Sequence, residues 1–117
     1  MLALIIREPW IGMILDGLKI WEIRSRNTNV RGRIGLIRSR SGLILGRANL
    51  IDSVPVSKRL LLDNLDKHGM SREEVLQLFK PGSNYSRPYA WVLSEQKRLS
   101  RPRRYKHPSG AVIWVRV

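Results

Sequence analysis

The stretch Gly17-Leu18-Lys19-Ile20-Trp21-Glu22-Ile23-Arg24 constrains this chain more than any other. Ahead of it, Ile11, Ile14, Leu15 and Leu18 recur at i, i+3, i+4 and i+7, the spacing of one helical face. From Ile20 the pattern changes to alternation, the spacing of a strand. Gly17 stands where the first pattern stops and reads as a left-handed cap. The turn between the two patterns carries Lys19, and the strand carries Glu22 and Arg24. Parity puts Ile20, Glu22 and Arg24 on one side and Trp21, Ile23 and Ser25 on the other. The second side is the better core face, which leaves Lys19 at the rim of the first. Charges beside a core cost free energy unless they are paired, so these three are expected to form an ion network or a functional site.

The rest of the chain reads as short strands with helical interruptions. Met1 to Ile6 is a wholly apolar run, a buried strand. Pro9 fits the first turn of the early helix, and Trp10 near its start either packs on the core or offers a stacking wall to a base. After an Asn27-Thr28-Asn29 turn, Arg31-Gly32-Arg33 leads into a third strand over Ile34 to Ile37. A fourth strand spans Leu43 to Ile51, with Gly46 marking a bulge or a close backbone approach. Ser57 caps a helix that closes near Gly69, and Ser71 with Glu74 forms a capping box that opens another. His68, near the end of the first of these, fits a partner for the helix dipole. Pro88 to Leu93 is strand-like. Arg98 to Pro108 reads as an exposed basic loop, because prolines oppose helix and charge favours solvent. Ala111 to Val117 closes the chain as a strand. The expected fold is α+β, mainly β: a small, mostly antiparallel β-barrel with one early helix and an inserted helical pair, in one domain over residues 1–117.

Charge narrows the partners. The net charge is +13, and it is unevenly spread. Residues 55–79 are balanced, with four basic and four acidic side chains, whereas residues 80–117 hold nine basic against one acidic. Seven arginines lie between Glu22 and Asp52 with no acid among them. Arginine presents a planar fork that matches phosphate, so nucleic acid is the expected partner. A membrane-surface or protein-interaction module would need an amphipathic basic helix, and the basic residues fall on strands and loops instead. There is no cysteine, which excludes disulfides and thiol catalysis. His68 and His107, far apart, make a poor ligand set, so no metal is expected. No cofactor motif is present, and none is inferred. The chain has no apolar run long enough for a membrane span and no basic leader before Met1 to Ile6, so a cytoplasmic location is expected.

Pro9-Trp10, then Gly17-x-Lys19-x-x-Glu22-x-Arg24, then Arg31-Gly32-Arg33, then Tyr89-Ala90-Trp91-Val92-Leu93, and a terminal strand with Trp114, resemble the ASCH domain (activating signal cointegrator homology). The resemblance covers nearly the whole chain. It implies a PUA-like β-barrel with a cleft over the motif and a link to RNA or DNA. Some members of that family bind DNA, some act as ribonucleases, and one branch hydrolyses acetylcytidine.

Two functions follow for the motif. In the binding reading, Arg24, Arg26, Arg31, Arg33, Arg101, Arg103, Arg104 and Lys106 hold phosphates of RNA or single-stranded DNA. Trp10 or Tyr105 stacks on an unpaired base, and Glu22 accepts from a base amine or orients Lys19 and Arg24. In the enzyme reading, a desolvated Lys19 acts as base or nucleophile, Glu22 moves protons and Arg24 stabilises a developing oxyanion, as in a ribonuclease or an amidohydrolase. Tyr105 or His107 would then serve as acid or base. The resemblance matches Lys19 to the motif lysine of the acetylcytidine-hydrolysing branch, but a threonine stands there where this chain has Glu22. That difference favours binding.

Overall fold

The apolar run at the start of the chain forms the first strand, β1 (Leu2–Ile6), in a computed structural model that describes residues 1–117 apart from Asn84 and Ser86. The elements that follow are α1 (Trp10–Leu15), β2 (Trp21–Arg24), β3 (Gly32–Arg38) and β4 (Leu43–Pro55). Then come α2 (Lys58–Leu62), α3 (Leu65–His68), α4 (Arg72–Leu78), β5 (Tyr89–Arg104) and β6 (Trp114–Arg116). One six-stranded sheet runs β2-β5-β4-β3-β1-β6. β1 and β3 pair in parallel and every other pair is antiparallel. The fold is the expected α+β, mainly β, and the barrel is a loose one. β2 and β6 are its two edges, and no ladder joins them among the described residues.

Each face of the sheet is covered for a reason visible in its residues. Ile11, Ile14 and Leu15 of α1 press onto Leu4, Ile34, Leu36, Ala48, Leu50 and Trp91, which project from one face. Ile23, Ala90, Val56, Leu61 and Val75 form a second cluster beneath the inserted helices. Ala3, Ile37, Ile44 and Val115 make a third, on the face away from α1. Burying each large side chain of this kind contributes about 1.5–3 kcal/mol. α1 starts without a side-chain cap on Pro9, and Glu8 Oε1 instead accepts from the Gly12 N–H at 3.0 Å. It ends as expected at Gly17, whose φ is +77°.

Several expectations need correcting. The helical pair is three short helices, because the chain breaks at Asp63-Asn64. There a side chain competes with the helix: Asn64 Nδ2 donates to the Leu60 carbonyl at 2.8 Å, and the Asn64 backbone N–H turns to the Leu61 carbonyl at 3.2 Å. The basic loop is no loop up to Arg104; it is the second half of β5, with Arg103 opposite Ile44 and Arg104 opposite Leu43. β2 reaches only as far as Val92 along β5, so the later half has an open edge, where a proline such as Pro102 is tolerated. β4 runs four residues past Ile51, to Pro55. The closing strand is only Trp114–Arg116, since the Ala111 N–H is taken up in a turn to the Pro108 carbonyl.

Gly46 shows both features expected of it. The β4–β5 register shifts between Ile44 and Gly46. A Cβ on Gly46 would run into Leu15 of α1 and lie 2.6 Å from the Lys97 carbonyl. Backbone cannot retreat as a flexible side chain can. Gly46→Ala is therefore expected to destabilise the protein by about 1–3 kcal/mol in urea or thermal unfolding, through overpacking beneath α1.

Candidate functional site

Lys19, Glu22 and Arg24 come together at the floor of a cleft of about 480 Å³. The turn after α1 delivers Lys19 and the edge strand β2 delivers the other two. Lys19 is not at the rim. It is 2% exposed, and Glu22 is 5% exposed, so the face of β2 that carries the charges is as buried as the face that carries Ile23. Burial is possible because the ammonium is enclosed by acceptors. Lys19 Nζ donates to the Trp21 carbonyl at 2.7 Å and to the His68 carbonyl at 2.6 Å, and lies 3.5 Å from Glu22 Oε1. It also sits 5.1 Å from the centre of the Trp10 ring, within cation–π range.

Glu22 is shared between two cations. Arg24 Nε donates to Glu22 Oε2 at 2.9 Å, and Arg24 Nη2 lies at 2.9 Å from the same oxygen. Arg24 Nη2 also donates to the Ile5 carbonyl of β1 at 2.8 Å. The guanidinium lies over the Trp91 ring, which in turn stacks on Trp114 with centroids 5.7 Å apart. Among the described residues, Arg24 Nη1 has no hydrogen-bond partner, which leaves it as a donor for a ligand. The triad carries one net positive charge.

Desolvation pushes the Lys19 ammonium below its ordinary pKa of 10.5, and Glu22 opposes that shift. In the neutral amine the two remaining protons would still serve the Trp21 and His68 carbonyls, and the lone pair would face the Glu22 carboxylate. The geometry therefore suits the cation. His68 is fully buried, and its Nδ1 accepts from the Met70 N–H at 3.1 Å, so Nε2 carries the proton that the Leu61 carbonyl accepts at 2.7 Å. Desolvation lowers its pKa below 6.5, with the Lys19 charge adding to that. His68 is thus a neutral structural ring, not a charged partner of a helix dipole.

The other expected site residues scatter. Trp10 walls the cleft. Arg26 is exposed beyond β2, and its carbonyl accepts from Trp91 Nε1 at 3.0 Å. Arg31 is pinned to its own loop through the Thr28 and Val30 carbonyls and lies 3.6 Å from Asp52. Arg33 lines a different concavity. Arg101, Arg103 and Arg104 lie exposed along β5, with Lys106 exposed just past its end. Tyr105 packs on the third core cluster, its hydroxyl 2.8 Å from His107 Nδ1, and burial raises its pKa above the ordinary 10.0. Arg7, Met70, Glu74, Gln77, Tyr85 and Val112 line the cleft and were not foreseen. Arg7, a charge directly after an apolar strand, carried a local signal. Met70, Glu74 and Gln77 reach the cleft only through the path of the inserted helices. Among the described residues, no group of three or more His, Asp or Glu side chains is placed to hold a metal, and no helix is long and apolar enough to cross a membrane.

Removing Glu22 would leave a buried ammonium without its counter-charge. Glu22→Gln is expected to cost about 3 kcal/mol in urea unfolding, the low end for a broken buried pair because Arg24 is partly open to solvent. His68 gives a pH signature. The unfolded ring gains a proton as pH falls through about 6.5, while the folded ring stays neutral to a lower pH. Its contribution to stability is present above pH 6.5 and is lost as pH falls below it. His68→Gln should flatten that part of the stability profile, whatever it costs at pH 7.

The comparisons with known proteins come down on one family. The model of the ASCH domain matches residues 4–105. Among solved structures, the chain is similar to an ASCH protein from Zymomonas mobilis, at 20% identity and a TM-score of 0.70, over 86% of this chain and 71% of that one. A tyrosine-to-phenylalanine variant of the Zymomonas mobilis protein matches at 19% identity and 0.72, over 88% of this chain and 74% of that one. A serine-to-alanine variant matches at 19% and 0.74, over 98% and 87%. Likeness at this identity is likeness of fold. No curated protein matches the chain. The matched span holds the turn at Gly17, the three charges of the cleft floor and the sheet through β5, and the chain belongs to the ASCH domain family.

Proposed function

We propose that residues 1–117 act as one nucleic-acid-binding module, for RNA or single-stranded DNA, and that the cleft receives an unpaired base. One observation carries this reading: a network of two cations and one carboxylate forms the floor of an open cleft that Trp10 walls, instead of lying sealed in the core. A base brings a flat π-face for Trp10 and an edge of donors and acceptors for Glu22 and Arg24. The cleft volume lies in the range of small-ligand sites. The net charge of +13, with Arg101, Arg103, Arg104 and Lys106 exposed on and just past β5, supplies the phosphate attraction. A cytoplasmic location belongs to the same proposal.

Hydrolysis of RNA or of a modified nucleoside is the second reading, and the depressed pKa of Lys19 favours it. The occupied donors of Lys19 weigh against it as nucleophile or base. Acting so would require Glu22 to move or take up a proton.

Fluorescence anisotropy with short single-stranded oligonucleotides, repeated over a salt series, tests the proposal. Trp10→Ala should weaken binding by about 1–3 kcal/mol, roughly 5- to 150-fold, with the salt slope unchanged. Arg103→Ala/Arg104→Ala should weaken binding to all sequences alike and reduce the slope by about 0.7 for each phosphate that is no longer neutralised. Wild-type affinity that ignores salt, or a Trp10→Ala variant that binds like wild type, would count against the reading. Release of product from an oligonucleotide or an acylated nucleoside would favour hydrolysis.

A further inference from the structure

On the sheet face turned away from α1, three cations converge where no helix covers them. Ala48 and Leu50 of β4 point into the core under α1, so Arg47 and Asn49 point the other way. Arg33 of β3 pairs with Asn49, and Lys97 of β5 pairs with Arg47. These side chains line a concavity of about 220 Å³, together with Ala48 and Glu95. Arg47 and Lys97 are like charges directly opposite each other on antiparallel strands. Such a pair is destabilising by several tenths of a kcal/mol unless something screens it.

The one acid within the concavity makes no ion pair with these cations. Glu95 Oε2 accepts from Asn49 Nδ2, and no cation of the group lies within ion-pair distance of it among the described residues. Glu95 is also held at φ +51°, a left-handed conformation that a side chain of this kind rarely adopts. It marks a β-bulge, since β5 uses three steps from Ser94 to Lys97 where β4 uses two from Arg47 to Asn49. The bulge sets Glu95 and Lys97 beside the arginines. It sends the intervening Gln96 to the opposite side, where Nε2 donates to the Lys19 carbonyl at 3.0 Å. Three cations with a single acid, that acid hydrogen-bonded to Asn49 and to none of the cations, and a strained residue occur together, and bulges recur beside functional sites.

We propose that Arg33, Arg47 and Lys97, with the Asn49 amide, form a second anion site that binds a phosphate group on the face away from the cleft. The two arginine forks and the ammonium supply charge-assisted donors, and three cations against the single carboxylate of Glu95 leave the concavity with an excess of positive charge that attracts a phosphate. On the reading given under Proposed function, that phosphate belongs to nucleic-acid backbone lying beyond the base held in the cleft. The anion chemistry itself does not depend on that reading.

Inorganic phosphate therefore serves as the probe, without nucleic acid. In nitrogen-15 NMR titrations at constant ionic strength, phosphate should shift the Asn49 side-chain amide and the backbone amides of residues 95–97 saturably. Arg47→Ala/Lys97→Ala should abolish those shifts, and Trp10→Ala should retain them. Phosphate should also raise the wild-type melting temperature above that in chloride of equal ionic strength, an increment the double variant lacks. No saturable shift, or the same shift in the double variant, would overturn the site. A second arm places it: Arg47→Ala/Lys97→Ala should reduce the salt slope for a long single strand and leave that for a tetranucleotide unchanged. Equal slopes for the long strand in wild type and variant would overturn the assignment to backbone. Failure of all oligonucleotides to bind would sink the function proposed for the cleft and leave the phosphate titration standing.

Discussion

The rest of the site depends on the burial of one ammonium group. Taking a charge of this size out of water costs several kcal/mol even after relaxation, so Lys19 stays inside only because its surroundings replace what water gave it. Two backbone carbonyls, a carboxylate and the face of Trp10 do so. One of those carbonyls belongs to His68, at the end of α3. The inserted helices are therefore part of the site and not an appendage. The neutral ring of His68 is anchored to Leu61 and Met70, which fixes the end of α3 where Lys19 meets it. Gly69 follows at φ +79° and leaves room for Met13 of the segment that carries Trp10. Sequence-distant parts of the chain thus meet around one proton-bearing group.

Arg24 gives the same network a second duty. The sheet is open, with β2 at one edge and β1 next to the other. The side chain of Arg24 crosses between them, from Glu22 on β2 to the Ile5 carbonyl on β1, and lies on the Trp91 and Trp114 stack. Beyond Ile113, β1 has a carbonyl that β6 no longer reaches, and Arg24 takes it. The barrel is in this sense tied by a guanidinium where backbone pairing stops. Floor of the cleft and tie of the barrel are one set of atoms, so a lost charge there is felt both in stability and in whatever the cleft holds.

How much of this was legible follows from what each signal depends on. Local signals held: the apolar run of β1, the cap at Gly17, the capping box at Ser71 and Glu74 and the bulge at Gly46 depend on near neighbours. The meeting of Lys19, Glu22 and Arg24 was legible because spacing and parity set it. The depth of Lys19 was not, since the carbonyl that permits it comes from His68, forty-nine residues on. Charge and proline content made residues 98–104 look like a loop, yet a strand with one open edge tolerates both. The run of seven arginines between Glu22 and Asp52, with no acid among them, suggested that Arg24, Arg31 and Arg33 hold phosphates together. Pairing instead sends Arg24 to the cleft, ties Arg31 beside Asp52 and turns Arg33 to the other face.

The central claim is that an unpaired base enters the cleft and meets Trp10 above the charged floor. Photocrosslinking with a single-stranded oligonucleotide carrying 5-iodouracil, followed by mapping of the attached peptide, addresses it most directly. The account predicts attachment within the cleft, at Trp10 or at Tyr85 on its lining. Attachment only along residues 97–106 of β5 and its end, with none in the cleft, would contradict it.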